Sequence, residues 1–320
     1  MTQRFFVGVV FALGQLALAQ QVAIVPRIPS ARTPVLPAAL PEPLLRVESN
    51  LVLIPAHVTN LDGLPLTDLS VTDFQLQEDN VAQTIASFSA EDAPISVGLL
   101  FDASGSMRNK MDKASEAAAR FFATANTGDE FFLVEIGGRV KVLEPFTTDS
   151  NQILDRIRRI KPGGQTPLFD AISVAMKQMR NAHQSRKALV ILSDGGDNWS
   201  THTFRQIRDA LIESDVQVYA IGIFDQDFTR NHSPEEAKGP KVLENLTTHT
   251  GGRLYPAASL DDLPDIGDRI SRELRQQYVL GYYPTNNSRD GKYRRVKLTV
   301  SSDVPDLRVS FRRGYYAPEQ

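Results

Sequence analysis

The chain has no cysteine in its 320 residues. That absence excludes disulfides, thiolate nucleophiles, iron–sulfur clusters and cysteine-based zinc sites. Neither sign of charge is in large excess: 35 Lys and Arg stand against 38 Asp and Glu, a formal net charge of −3. No global field therefore draws the chain to nucleic acid or to an anionic membrane. Tryptophan occurs once and histidine five times. The histidines, His57, His183, His202, His232 and His249, have no metal-ligand spacing and are expected in exposed or capping positions. Long apolar runs are missing too, apart from residues 5–18, which fall short of the roughly 20 residues of a spanning helix.

What is present begins with a leader pattern. A short positive region over residues 1–4, the apolar run and the Ala17-Leu18-Ala19 site together predict a signal peptide cut after Ala19, with an uncleaved anchor as the alternative. The protein is then exported, periplasmic or extracellular, with no integral membrane segment once the leader is gone. Residues 20–46 carry Pro26, Pro29, Pro34, Pro37, Pro41 and Pro43 without any helical or alternating period, which reads as an extended linker. The length suggests two domains, and an apolar content of 42% is ordinary for a globular protein.

Residues 47–90 alternate as about three short strands, with Pro55 pushing its strand toward a sheet edge or bulge. Residues 93–275 alternate between strands and helices of ten to sixteen residues, the pattern of a doubly wound, mostly parallel α/β sheet. Within them, the run Asp155, Arg156, Arg158 and Arg159 reads as a solvated helix face. After residue 275 alternation returns: Val296, Leu298 and Val300 face one way and Arg295, Lys297 and Thr299 the other, as in a half-buried strand. Each β region is too small to bury a core alone. The expected architecture is one six-stranded, discontinuous β-sandwich, residues 47–90 plus 276–317, with the α/β domain inserted in it.

The chemistry concentrates where strands of the α/β domain end. Ile95-Ser-Val-Gly-Leu-Leu-Phe runs apolar and stops at Asp102, followed by Ser104 and Ser106. Two hydroxyls and a carboxylate on one turn are a partial oxygen shell for a magnesium-like ion. Gly163-Gly164-Gln165-Thr166-Pro167 is a glycine turn feeding a helix, with Thr166 expected at the cap and Pro167 as first helical residue. Val190-Ile191-Leu192-Ser193 is a second buried strand, ending at Asp194. Ligands of doubly wound sheets bind at the carboxyl ends of strands, so these three segments are expected to share one rim. Asp197 and Asn198 are expected to shape the Asp194 loop, with Trp199 near its rim. Residues 224–241 form a long charged segment, flexible or used in recognition.

The order Asp102-x-Ser104-x-Ser106, then Thr166, then Asp194 before glycine resembles the metal-ion-dependent adhesion site of von Willebrand factor type A domains, over about 180 residues. Thr250-Gly251-Gly252 and Leu254-Tyr255 are similar to that family's last strand region. The flanking β regions resemble those of bacterial exported proteins that carry such domains. The resemblance implies a divalent cation, Mg²⁺ first and Mn²⁺ or Ca²⁺ as alternatives, held by Ser104 and Ser106 directly. Asp102 and Asp194 act largely through water, and Thr166 directly or through water according to conformation. It implies a binding module for a partner protein that presents an Asp or Glu carboxylate, with no enzymatic activity and no nucleic-acid partner. A metal-dependent hydrolase or phosphoryl-transfer enzyme is the alternative. Against it stand the missing phosphate loop and the lack of a base placed near the serines. A structural module with an idle site is a third reading.

Overall fold

The computed structural model describes residues 51–319 except 62, 91 and 225–235. The leader, the proline-rich stretch, His232 and most of the 224–241 segment lie outside the described residues. Among those described, no helix is long and apolar enough to cross a membrane.

The α/β body is built on a six-stranded sheet. Its strands are β5 (Ile95–Asp102), β6 (Glu130–Ile136), β7 (Lys141–Thr147), β8 (Arg186–Ser193), β9 (Gln217–Ile223) and β10 (Leu254–Ala257). Their spatial order is β10-β9-β8-β5-β6-β7, all neighbours parallel except the β6–β7 hairpin. Among the described residues six α-helices accompany the sheet: α1 (Met111–Phe122), α2 (Ser150–Ile157), α3 (Leu168–Met179), α4 (Phe204–Glu213), α5 (Gly239–Thr250) and α6 (Leu263–Arg275). β5 is buried along its whole length because both of its faces are covered. Val97, Leu99 and Phe101 pack with α1 and α6 residues such as Ala117, Phe121 and Ile270, while Leu100 packs on the other side with Ile172 and Ala175 of α3. This explains why β5 reads as a continuous apolar run rather than an alternating one.

The ends of the chain supply two antiparallel-paired sheets, each four-stranded, rather than the six strands expected. One has the order β13-β1-β11-β4, from Val52–Thr59 (β1), Ile85–Ser89 (β4), Tyr278–Tyr282 (β11) and Arg308–Phe311 (β13). The other has the order β14-β12-β2-β3, from Phe74–Glu78 (β2), Val81–Gln83 (β3), Tyr293–Val300 (β12) and Gly314–Tyr316 (β14). Both sheets take strands from before and after the α/β body, which is inserted between them in sequence. Their common core includes Ile54, Phe74, Leu76, Tyr278, Leu280, Tyr282, Val296 and Leu298. Inside it a buried carboxylate, Glu78, accepts hydrogen bonds from both Tyr282 and Tyr315 at 2.7 Å.

β1 corrects the expectation for Pro55, because it lies inside its sheet. The proline is tolerated through the pairing pattern: β1 pairs with β11 over Val52–Ala56 but with β13 only from Ala56 onward. At Pro55 β1 has a partner strand on one side only, so the strand is an edge locally. The 155–159 charge run is exposed as expected, with Arg156 on Glu144 and Arg158 on Asp155, both at 2.8 Å. In the described part of the 224–241 segment, a 3₁₀ turn at Glu236–Lys238 leads into α5 with Pro240 in its first turn.

Candidate functional site

The strand order reverses at β5. The chain leaves β5 toward β6 and β7 and returns to β8 on its other side, so the switch point lies at the carboxyl ends of β5 and β8. Parallel register sets Phe101 beside Leu192. The next residues, Asp102 and Ser193, meet through their side chains: Ser193 Oγ donates to Asp102 Oδ2 at 2.5 Å and accepts from the Gly195 N–H at 2.9 Å. Ser193 thus ties the two strand ends together. Its only signal in sequence was its place before Asp194.

Four of the five candidate residues form one hydrogen-bonded chain. Asp102 Oδ1 accepts from the Ser104 N–H at 2.9 Å, Ser104 Oγ lies 3.0 Å from Ser106 Oγ, and Ser106 Oγ donates to Asp194 Oδ2 at 2.7 Å. Asp102, Ser104 and Asp194 are buried, and Ser106 is exposed at the mouth. Thr166, also buried, joins through the backbone of its loop rather than through this chain. The Gly163 N–H donates to Ala103 O at 2.7 Å and the Gly105 N–H to Gly164 O at 3.1 Å. Gly164 has φ +84°, and a Cβ there would sit 2.7 Å from the backbone of Gly138, so only glycine seats this loop. Gly195 is constrained likewise: φ is +77°, and a Cβ would meet Gly239 O at 2.6 Å, at the start of α5.

Thr166 is not the cap of α3. Pro167 occupies that position and offers no side-chain bond. The first N–H groups of α3 are met instead from the Asp194 loop: Phe169 N–H donates to Asp197 Oδ1 at 3.2 Å and Asp170 N–H to Ser200 Oγ at 3.1 Å. Asn198 holds Thr166 by two bonds, its Oδ1 accepting from Thr166 N–H at 2.8 Å and its N–H donating to Thr166 O at 3.2 Å. Asp170 fixes the far end of this loop through the Thr201 N–H and the His202 ring, at 3.0 and 2.6 Å. Burial works against it, yet these bonds hold the Asp170 carboxyl down at about 2.

The histidines divide. His183, exposed, meets Glu130 at 2.9 Å, and His249, half-buried, lies 2.7 Å from Asn245 O. His57 departs from expectation, being 1% exposed and 2.7 Å from Tyr219 Oη. Its strand position on β1 gave no sign that β9 would pack against it.

The electrostatics of the site are set by its two carboxylates. Burial, and secondarily the charge of Asp194, push the Asp102 carboxyl up to about 6 despite the bonds from Ser193 and Ser104. Among the described residues neither Asp102 nor Asp194 is in an ion pair. No group of three or more His, Asp or Glu able to hold a metal occurs among them either. The donor set is two carboxylates with neutral hydroxyls, which suits a hard divalent cation: the ion would satisfy both charges and gather the hydroxyl oxygens. The residues present fit such a group.

A doubly wound sheet with a carboxylate and hydroxyl cluster at its switch point defines a class of binding or catalytic α/β domain. Residues 97–196, which include all five candidates, match the von Willebrand factor type A domain family; the chain carries a von Willebrand factor type A domain. An uncharacterised protein of Borreliella burgdorferi is 26% identical over 164 residues, covering 47% of this chain and 48% of that protein. The chain thus spans about half the length of that relative. Among solved structures, a von Willebrand factor type A protein from Catenulispora acidiphila is 14% identical over 86% of this chain and 75% of its own, with a TM-score of 0.49. An aerotolerance-related membrane protein from Bacteroides fragilis is 17% identical, covering 56% of this chain and 98% of its own, with a TM-score of 0.46. The corresponding domain of a type V pili tip protein from Porphyromonas gingivalis is 14% identical, covering 57% and 95%, with a TM-score of 0.44.

Proposed function

We propose that this is an exported protein-interaction module that holds an Asp or Glu carboxylate of a partner protein through a divalent cation, Mg²⁺ in the first instance. The observation that carries the reading is the pair of buried carboxylates, Asp102 and Asp194, joined through Ser104 and Ser106 and, among the described residues, in no ion pair with a cationic side chain. Ser104 and Ser106 would bind the ion directly, Asp102 and Asp194 would balance its charge, and Thr166 would complete the shell from its loop. Because the serines and the threonine are neutral donors, the bound ion retains attraction for an anionic oxygen. Asn198, Asp197 and Ser200 keep the Thr166 loop and the Asp194 loop in register, and Ser106 leaves the site open to solvent.

The test is affinity capture from the source envelope with Mg²⁺ and with chelator, using the wild type and Asp194→Ala. A partner retained only by the wild type, and only with Mg²⁺, is the expected result. Retention that ignores both changes would overturn the reading. Phosphoester turnover that needs Mg²⁺ and disappears in Asp102→Ala would establish the enzyme alternative instead.

We also propose that residues 47–90 and 276–317 are one discontinuous domain and residues 93–275 an autonomous one. The separate hydrophobic clusters of the two parts support this division. Several polar contacts cross between them, including Arg312 with Asp215 and with Ile212 O, and Arg253 with Ser310 at 3.0 Å. The fragment 93–275 is expected to be soluble and to melt cooperatively, at a lower temperature than the whole chain. Aggregation of the fragment would count against autonomy.

A further inference from the structure

Three side chains in loops fastened to the site are not among the residues that would hold the cation. Arg108 and Arg139 are exposed, and among the described residues neither is in an ion pair. Trp199, the chain's one tryptophan, is 61% exposed. Each arises from a different loop, and each loop is fastened to the site. Arg108 follows Ser106 by two residues, and its segment is bonded to the Gly164 carbonyl through the Gly105 N–H at 3.1 Å. Arg139 follows Gly138, whose backbone lies against Gly164 so closely that a Cβ there would be 2.7 Å away. Trp199 follows Asn198, which is bonded twice to Thr166.

These loops therefore bring two arginines and an aromatic side chain to the site in a chain whose net charge is −3, with one exposed carboxylate, Asp112, at the start of α1 beside them. Asp102 and Asp194 are buried, and Asp197 is occupied by the Phe169 N–H and the Ser200 hydroxyl. An arginine fork matches a carboxylate bidentately, and an exposed tryptophan is the side chain that contributes most when an interface covers it. A partner offering a single carboxylate would leave both arginines and the indole unused.

We propose that the partner presents an acidic segment with at least two carboxylates and an adjoining apolar or aromatic residue. One carboxylate occupies the cation site, a second pairs with Arg108 or Arg139, and the apolar side chain covers Trp199. This rests on the cation-dependent reading above and adds the composition of the partner to it.

The lone tryptophan makes the test direct in the full-length chain. Mg²⁺ binding is first measured alone by calorimetry. Trp199 emission is then followed while a blocked peptide, Leu-Phe-Asp-Glu-Asp-Gly, is added in Mg²⁺. A single-acid analogue, Leu-Phe-Asp-Gln-Asn-Gly, and a thymidine decanucleotide are added in parallel. Emission is expected to change saturably with the acidic peptide, and the single-acid analogue is expected to bind about tenfold more weakly. In calorimetry the double variant Arg108→Glu with Arg139→Glu should lose that difference, and Trp199→Ala should weaken both peptides about tenfold or more. Equal affinity for the two peptides, an unaffected double variant, tighter binding of the oligonucleotide, or Mg²⁺ binding with no peptide binding would each overturn the proposal. Peptide discrimination that survives chelator and Asp194→Ala would keep the acidic-segment rim and remove the cation reading. Absence of both Mg²⁺ and peptide binding would remove both.

Discussion

Asp102→Asn is expected to stabilise the metal-free protein and to abolish its stabilisation by Mg²⁺. The carboxylate is 0% exposed, faces the like charge of Asp194 and has no cationic partner among the described residues. The amide removes the buried charge while its oxygen still accepts from the Ser104 N–H, so metal-free stability should rise by about 2 kcal/mol. In the wild type, Mg²⁺ at about 100 times its dissociation constant should add about 2.7 kcal/mol, because the ion binds the folded state alone. The variant should lose about 100-fold or more in affinity and gain nothing from the ion. Urea unfolding with and without Mg²⁺ checks both arms, and the two stability orders should cross. A variant less stable than the wild type in chelator would mean that the Asp102 charge serves the fold. An unchanged response to Mg²⁺ would mean that the ion binds elsewhere.

Much of this site was legible because it is encoded in short, local stretches. A strand buried on both faces must be apolar throughout, so Ile95–Phe101 announced a central strand, and Asp102, Ser104 and Ser106 stood out at its end. Thr166 and Asp194 were legible for the same reason, each closing or following an element of plain type. What was not legible depends on contacts distant in sequence. The cap of α3 comes from Asp197 and Ser200, so Thr166 was assigned a capping role that belongs to another loop. Ser193 looked like the last residue of a strand until parallel register put its hydroxyl on Asp102. β14 was missed because Gly314–Tyr316 is three residues long, too short to show alternation, and exists through pairing with β12. Pro55 signalled an edge that exists only locally, because the second neighbour of β1 joins from Ala56 onward and is set by the rest of the strand.

His57 should make stability depend on pH between about 4 and 6.5. Burial drives its pKa from 6.5 down to about 4; Glu273 opposes the shift, and Arg253 and Arg186 add to it. The groups facing it are Tyr219 Oη at 2.7 Å and Gln217 Nε2 at 3.3 Å on β9, with Glu273 on α6, Arg253 before β10 and Arg186 on β8 acting through their charges. Within that window the unfolded chain binds the proton and the folded chain does not, so stability rises with pH. The contribution is complete above 6.5 and is lost as pH falls toward 4, by about 3 kcal/mol in all. Asp102, raised to about 6, has the opposite sign over part of the same range in metal-free protein, which can flatten the wild-type curve. The measurement is therefore the difference between wild type and His57→Gln, by denaturant unfolding at each pH, since Asp102 is common to both. The wild type should lose about 3 kcal/mol relative to the variant between pH 7 and pH 4. A difference that stays constant with pH would show that His57 keeps an ordinary pKa and that its burial between β1 and β9 costs the protein nothing on acidification.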